Sequence, residues 1–201
     1  MKRIFVFIIL ILIVSLPFSC KINNIDNKLR NCVNERIIKS SGIIDEKFNY
    51  YNVIDRFEKL MIKNNLINDL SKESYISLIN NISSVETQNI ELLRKFNKDI
   101  QNIYFENRIT APLNEMSYVC VDCPFKILIE ERNQLNSSLL FQVQTGNEIV
   151  DNNSFSKEIL IKLIENIDKN NDFNKIEYRA PIDLYIIKII EGNLNKYNEV
   201  K

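Results

Sequence analysis

Apolar residues recur along most of this chain at three- and four-residue spacing, the period of an amphipathic helix, with polar residues between them. Ile25, Leu29, Cys32, Val33 and Ile37 form the first such stripe. Ser40, Ser41 and Gly42 end it, with Gly42 where a left-handed C-cap belongs. A second pattern over Asp45 to Asn65 sets Phe48, Tyr51, Ile54, Phe57, Leu60 and Met61 on one side. Aromatic side chains at this spacing are expected in the core rather than stacked on a ligand. Ser71 can cap a shorter helix over Lys72 to Ile82, and Ser83-Ser84-Val85-Glu86 reads as a capping box. The long helix it opens keeps its period through Leu92, Leu93, Phe96, Ile100 and Ile103 until Ala111-Pro112.

Beyond that point the pattern is less regular. Residues 113–121 allow a short strand or an irregular crossover, because Tyr118, Val119 and Val121 favour extended backbone. Pro124 then restarts a helix that runs through Phe125, Leu128, Leu135 and Leu139 to Gly146, which is expected to stop it. A competing reading of 124–145 makes two strands, Lys126 to Glu130 and Leu139 to Gln144. Phe155 to Ile167 forms another amphipathic helix, capped by Asn153 or Ser154. The last pattern begins at Ala180-Pro181 and stops before Gly192, although Leu184 to Ile190 also makes a good strand, so 176–190 is a second place for a β element. The prediction is a mainly α fold: one domain of six or seven helices over 25–192, followed by a fraying C-terminus at 193–201.

The first twenty residues are of another kind. Lys2 and Arg3 precede an unbroken apolar run from Ile4 to Val14, the layout of a secretion signal. The run falls short of the roughly 20 residues a spanning helix needs. It ends in Leu16-Pro17-Phe18-Ser19-Cys20, which resembles the lipobox of bacterial lipoproteins through the small residue and cysteine at its end. Its leucine stands four residues before the cysteine instead of three. The resemblance implies that 1–19 is a signal peptide, that Cys20 carries the lipid and becomes the N-terminus, and that 20–24 is a tether. It further implies attachment to a bacterial membrane, facing the periplasm or the surface. An uncleaved anchor over Ile4 to Phe18 and ordinary signal cleavage remain open as alternatives.

Composition narrows the chemistry. From Cys20 onward 182 residues remain, enough for a sizeable core. Over the whole chain 26 basic residues balance 26 acidic ones, so a nucleic-acid partner is not expected. Only 3 Gly and 4 Pro disfavour a turn-rich β architecture. The chain has no His, which excludes Ser-His-Asp, Cys-His and His-based zinc chemistry. No motif calls for a cofactor or identifies a small-molecule ligand.

Three constellations stand out. Cys120-Val121-Asp122-Cys123-Pro124 puts Cys123 at a helix start, where the macrodipole favours a thiolate. The alternative is a disulfide from Cys32 to either Cys120 or Cys123, closing a loop of nearly ninety residues in an oxidising compartment. Asp168-Lys169-Asn170-Asn171-Asp172 resembles the opening of an EF-hand loop. It carries Phe173 where that loop needs glycine and Arg179 where it needs a bidentate glutamate, so a plain polar helix-end loop is expected. Glu130 and Glu131 point apart on a helix and are expected in solvent. The function that follows is non-catalytic binding or assembly in the envelope, with an envelope protein as partner. The alternatives are a thiol-redox protein using Cys120 and Cys123, and a single-pass membrane protein.

Overall fold

The stripe Ile25, Leu29, Cys32, Val33 and Ile37 folds as helix α1 (25–41), with all five side chains buried. Gly42 ends it at φ +63°, the left-handed conformation that costs glycine nothing. The computed structural model describes residues 25–45, 47–83, 90–109, 117–131, 136–152 and 156–199. Cys20, the leader, the capping box around Ser84 to Glu86 and the cap at Asn153 or Ser154 lie outside them.

α2 (Tyr50–Lys63) is capped by Asn49, whose side chain accepts from the Tyr51 amide. α3 (Lys72–Ile82) is capped by Ser71, whose hydroxyl accepts from the Ser74 amide. α4 (Ile90–Glu106) buries Leu93, Phe96, Ile100, Ile103 and Tyr104 on one side. A π-helical turn (Tyr118–Asp122) leads without a break into α5 (Cys123–Glu130), with Pro124 in the first turn. α6 (Ser137–Asn152), α7 (Lys157–Lys169) and α8 (Ile176–Glu199) complete the chain order. Among the described residues there are eight helices and no strand, and one continuous core joins them.

α8 is the centre. It packs against α2, α3, α4, α6, α7 and the π-helical turn, and every residue from 177 to 187 is buried. A helix enclosed on all sides loses its one-faced stripe, which is why Leu184 to Ile190 also scans as a strand. The alternative β element at 176–190 does not form, and the helix read there does. The start at Ala180-Pro181 is corrected: α8 begins at Ile176, and Pro181 sits inside it, at the cost of one intrahelical bond. At the other end the helix does not stop at Gly192. It continues to Glu199, held by burial of Leu194 and by a hydrogen bond from the Asn193 amide group to the Ile82 carbonyl.

The segment before α5 is corrected too. Residues 117–121 are helical, and 110–116 lie outside the described residues, so the β element at 113–121 has no support where it is visible. The helix predicted from Pro124 to Gly146 is two helices, α5 and α6, and neither of the two competing strands forms. Gly146 does not stop α6, because its role is steric. A Cβ there would lie 2.5 Å from Val121 Cγ2 and 3.3 Å from the Cys120 carbonyl oxygen. Glycine at this point lets α6 lie directly against the π-helical turn.

Candidate functional site

The cysteines come together in only one of the ways the sequence allows. Cys32, on the buried side of α1, is bonded to Cys123, the first residue of α5, with Cα atoms 5.7 Å apart. Cys120 is left as a buried free thiol on the π-helical turn. Burial pushes its pKa up to about 12, opposed in part by a hydrogen bond from the Tyr185 hydroxyl and by Lys188. A nucleophilic thiol needs the opposite environment: exposed, electropositive and lowered in pKa. Cys123, which the helix dipole would have activated, has no thiol to activate.

Sequence reasoning missed the main polar cluster. Arg179 on α8 grips Glu58 on α2 with both arms, Nε to Oε1 at 2.6 Å and Nη2 to Oε2 at 3.1 Å, and gives Nη1 to the Phe173 carbonyl at 2.8 Å. One turn along α8, Asp183 accepts from the Tyr75 hydroxyl of α3 through Oδ1 at 2.9 Å. Its Oδ2 faces no donor. Burial first, and then the neighbouring Glu58 carboxylate, hold Asp183 well above the usual carboxylate range, which favours its neutral form. Tyr75 also packs edge-on against Phe173, ring centres 5.4 Å apart.

Paired carboxylates with a bidentate arginine resemble catalytic machinery, but solvent access decides the matter. Glu58, Arg179, Asp183 and Tyr75 are 2%, 5%, 1% and 0% exposed. All four side chains are closed off from solvent. What the arrangement does is fasten α2 and α3 to α8 and to the turn before it. Its signal in the sequence was a charged residue on an apolar stripe: Glu58 falls four residues after Ile54 and three before Met61, both in the core.

A second network fixes the start of α1. Tyr178 donates to Asp26 at 3.0 Å and accepts from Asn136 at 2.9 Å, and Lys175 bridges Asp26 and Asp172 at 3.0 and 2.9 Å. Lys28 pairs with Glu131 and Arg30 with Glu177, while the Arg30 guanidinium also lies 4.9 Å above the Tyr51 ring. These contacts account for the acidic residues the sequence singled out. Glu131 is paired with α1, and Glu130 lies 3.8 Å from Lys126 of its own helix. In the Asp168 to Asp172 stretch, Asp168 pairs with Lys72 at 2.8 Å while Asp172 turns inward to Ser138 and Lys175. The two carboxylates serve different partners and do not converge. Among the described residues no group of three acidic or cysteine side chains is placed to hold a metal ion.

Two surface clefts are lined by described residues. One of about 430 Å³ between α2 and α4 is lined by Arg56, Lys59, Lys63, Asp99 and Glu106, with Arg56 and Glu106 paired across it at 2.6 Å. A larger one of about 930 Å³ lies between the end of α1 and the end of α4, lined by Ser41, Gly42, Tyr104, Phe105, Arg108 and Ile109. No convergent set of acid, base and nucleophile faces either cleft. No known family model, curated protein or solved structure matches the chain.

Proposed function

We propose that this chain is a lipid-anchored protein of the bacterial envelope, a helical domain that binds or assembles without catalysis. The observation that carries the reading is the Cys32–Cys123 disulfide, which belongs in an oxidising compartment and sits immediately behind an export-type leader ending in Cys20. The two halves of the argument are independent, since one rests on the leader and the other on how the mature domain uses its thiols. Acyl chains on Cys20 would hold the domain at the bilayer, each buried CH2 contributing about 0.8 kcal/mol. The sealed Glu58–Arg179–Asp183 cluster supports a structural use of the most reactive-looking groups in the fold.

Intact mass of the membrane-extracted protein tests this. The expected species is residues 20–201 plus acyl groups, and Cys20→Ser is expected to leave the leader unprocessed by the lipoprotein route. A mature mass that retains Met1 to Ser19, or an unmodified Cys20, would overturn the reading.

A further inference from the structure

We propose that the exposed apolar face of α5, with Phe125 and Ile129 at its centre, rests on the surface of the bilayer to which Cys20 is anchored. The proposal rests on the anchor reading above and adds an orientation to it. From Cys20 to Ile25 there are five residue steps, a reach of at most about 18 Å. The start of α1 is therefore held close to the lipid.

The structure fixes which surface shares that end of the molecule. Lys28, one turn into α1, pairs with Glu131 just past the end of α5, and Cys32, a further turn on, is bonded to Cys123 at the start of α5. α5 thus runs back along α1 towards the tether, with its C-terminal end nearest the lipid. Its inner side buries Cys123, Pro124 and Ile127. Its outer side presents Phe125 and Ile129, four residues apart and so stacked on one face, at 52% and 44% exposure. Leu140, near the start of α6, adds a third exposed apolar side chain, and the Asn136–Tyr178–Asp26 hydrogen bonds place that start beside the start of α1. Lys126 and Glu130, 3.8 Å apart on α5, flank the face with exposed charged heads, and the long Lys126 stem suits a headgroup layer. Ile44 and Phe105, 86% and 84% exposed, mark the opposite end, next to the finish of α1 and about 24 Å from its start.

The chain contains no tryptophan, so an introduced one reports alone. Acylated mature protein, residues 20–201, carrying Phe125→Trp, Ile129→Trp or Phe105→Trp is reconstituted into phosphatidylcholine–phosphatidylglycerol vesicles, with and without bromine on the acyl chains. Phe125→Trp and Ile129→Trp are expected to emit at shorter wavelength and to lose about half their emission to brominated lipid, as a side chain at the headgroup–acyl boundary should. Phe105→Trp is expected to be unaffected. Two separate probe positions guard against one variant that folds poorly. Equal quenching at all three positions, or none at Phe125 and Ile129 in vesicles that float with acylated protein, overturns the proposal. A blue shift that follows protein concentration instead of bromine assigns the face to a second copy of the chain and also overturns it. Intact mass on the same samples separates the two failures: an unmodified Cys20 removes the anchor itself and the orientation with it.

Discussion

Asp183 offers the sharpest test of the electrostatics inside this fold. A carboxyl that binds its proton more tightly folded than unfolded destabilises the native state as pH rises above its ordinary value of 3.8. Stability is full below that value, where both states hold the proton. Above it, until the folded group finally ionises, stability falls by about 1.4 kcal/mol per pH unit. Asp183→Asn removes the slope, because the amide is neutral in both states. The substituted side chain can still accept from Tyr75 and donate towards Glu58, and its second N–H, left unpaired, costs about 1–3 kcal/mol. The gain and the cost oppose each other, so at pH 7 the variant should lie within about 1 kcal/mol of wild type or above it, and near pH 4 below it.

Glu58→Gln should behave differently. Without the Glu58 charge that raises it, and still near Arg179, Asp183 ionises more readily, which softens the loss. The double variant Glu58→Gln/Asp183→Asn leaves Arg179 buried without any anion and should lose about 3–5 kcal/mol. For a chain of this size that is on the order of 10 °C in Tm. Urea unfolding of the four proteins between pH 4 and 8 gives the whole cycle. Asp183→Asn as damaging as the double variant at pH 7, or keeping the wild-type slope with pH, would refute an Asp183 held above the usual carboxylate range.

Two further expectations concern covalent and steric fastening. Cys32→Ala/Cys123→Ala, or reductant added to the wild type, should cost about 4–5 kcal/mol by freeing a 91-residue separation, read as a lower urea midpoint; an unmoved midpoint would show that the bond carries no stability. Gly146→Ala should destabilise by about 1–3 kcal/mol against Val121 and the Cys120 carbonyl, with partial recovery in Gly146→Ala/Val121→Ala, whereas Gly192→Ala, exposed and with nothing within 4 Å, should stabilise by up to about 1 kcal/mol; thermal melts of the three variants decide it.

What the sequence revealed followed the geometry of burial. Helices with one face in the core, α1 to α4 and α7, announce themselves by period, and the cap at Ser71 sits where a short polar side chain satisfies a free amide, whereas α2 starts at Tyr50 behind Asn49 and not at Asp45. α8 was legible as a helix but with a strand as rival and with both ends misplaced, since burial from 177 to 187 erases the contrast between faces. Gly146 misled because glycine is read as a terminator, and only tertiary contact with the π-helical turn reveals it as a spacer. The disulfide was narrowed to two partners and no further, because Cys120 and Cys123 lie within one helical turn of each other. Glu58 stands out locally as a charge on the α2 stripe, but its partner Arg179 lies 121 positions away, a distance over which no local pattern identifies the pairing.

The bond between Cys32 and Cys123 also sets how the molecule would respond to being stretched from its two ends. Tension entering at residue 25 crosses at Cys32 directly to α5, so α2, α3 and α4 lie in a closed loop that bears no load. With the sulfurs joined, extension draws out only the first turns of α1 and the segment after Cys123, and some 300 Å of contour stays hidden until the bond is cut. A single-molecule pull would record that withheld length as the difference between oxidised and reduced traces.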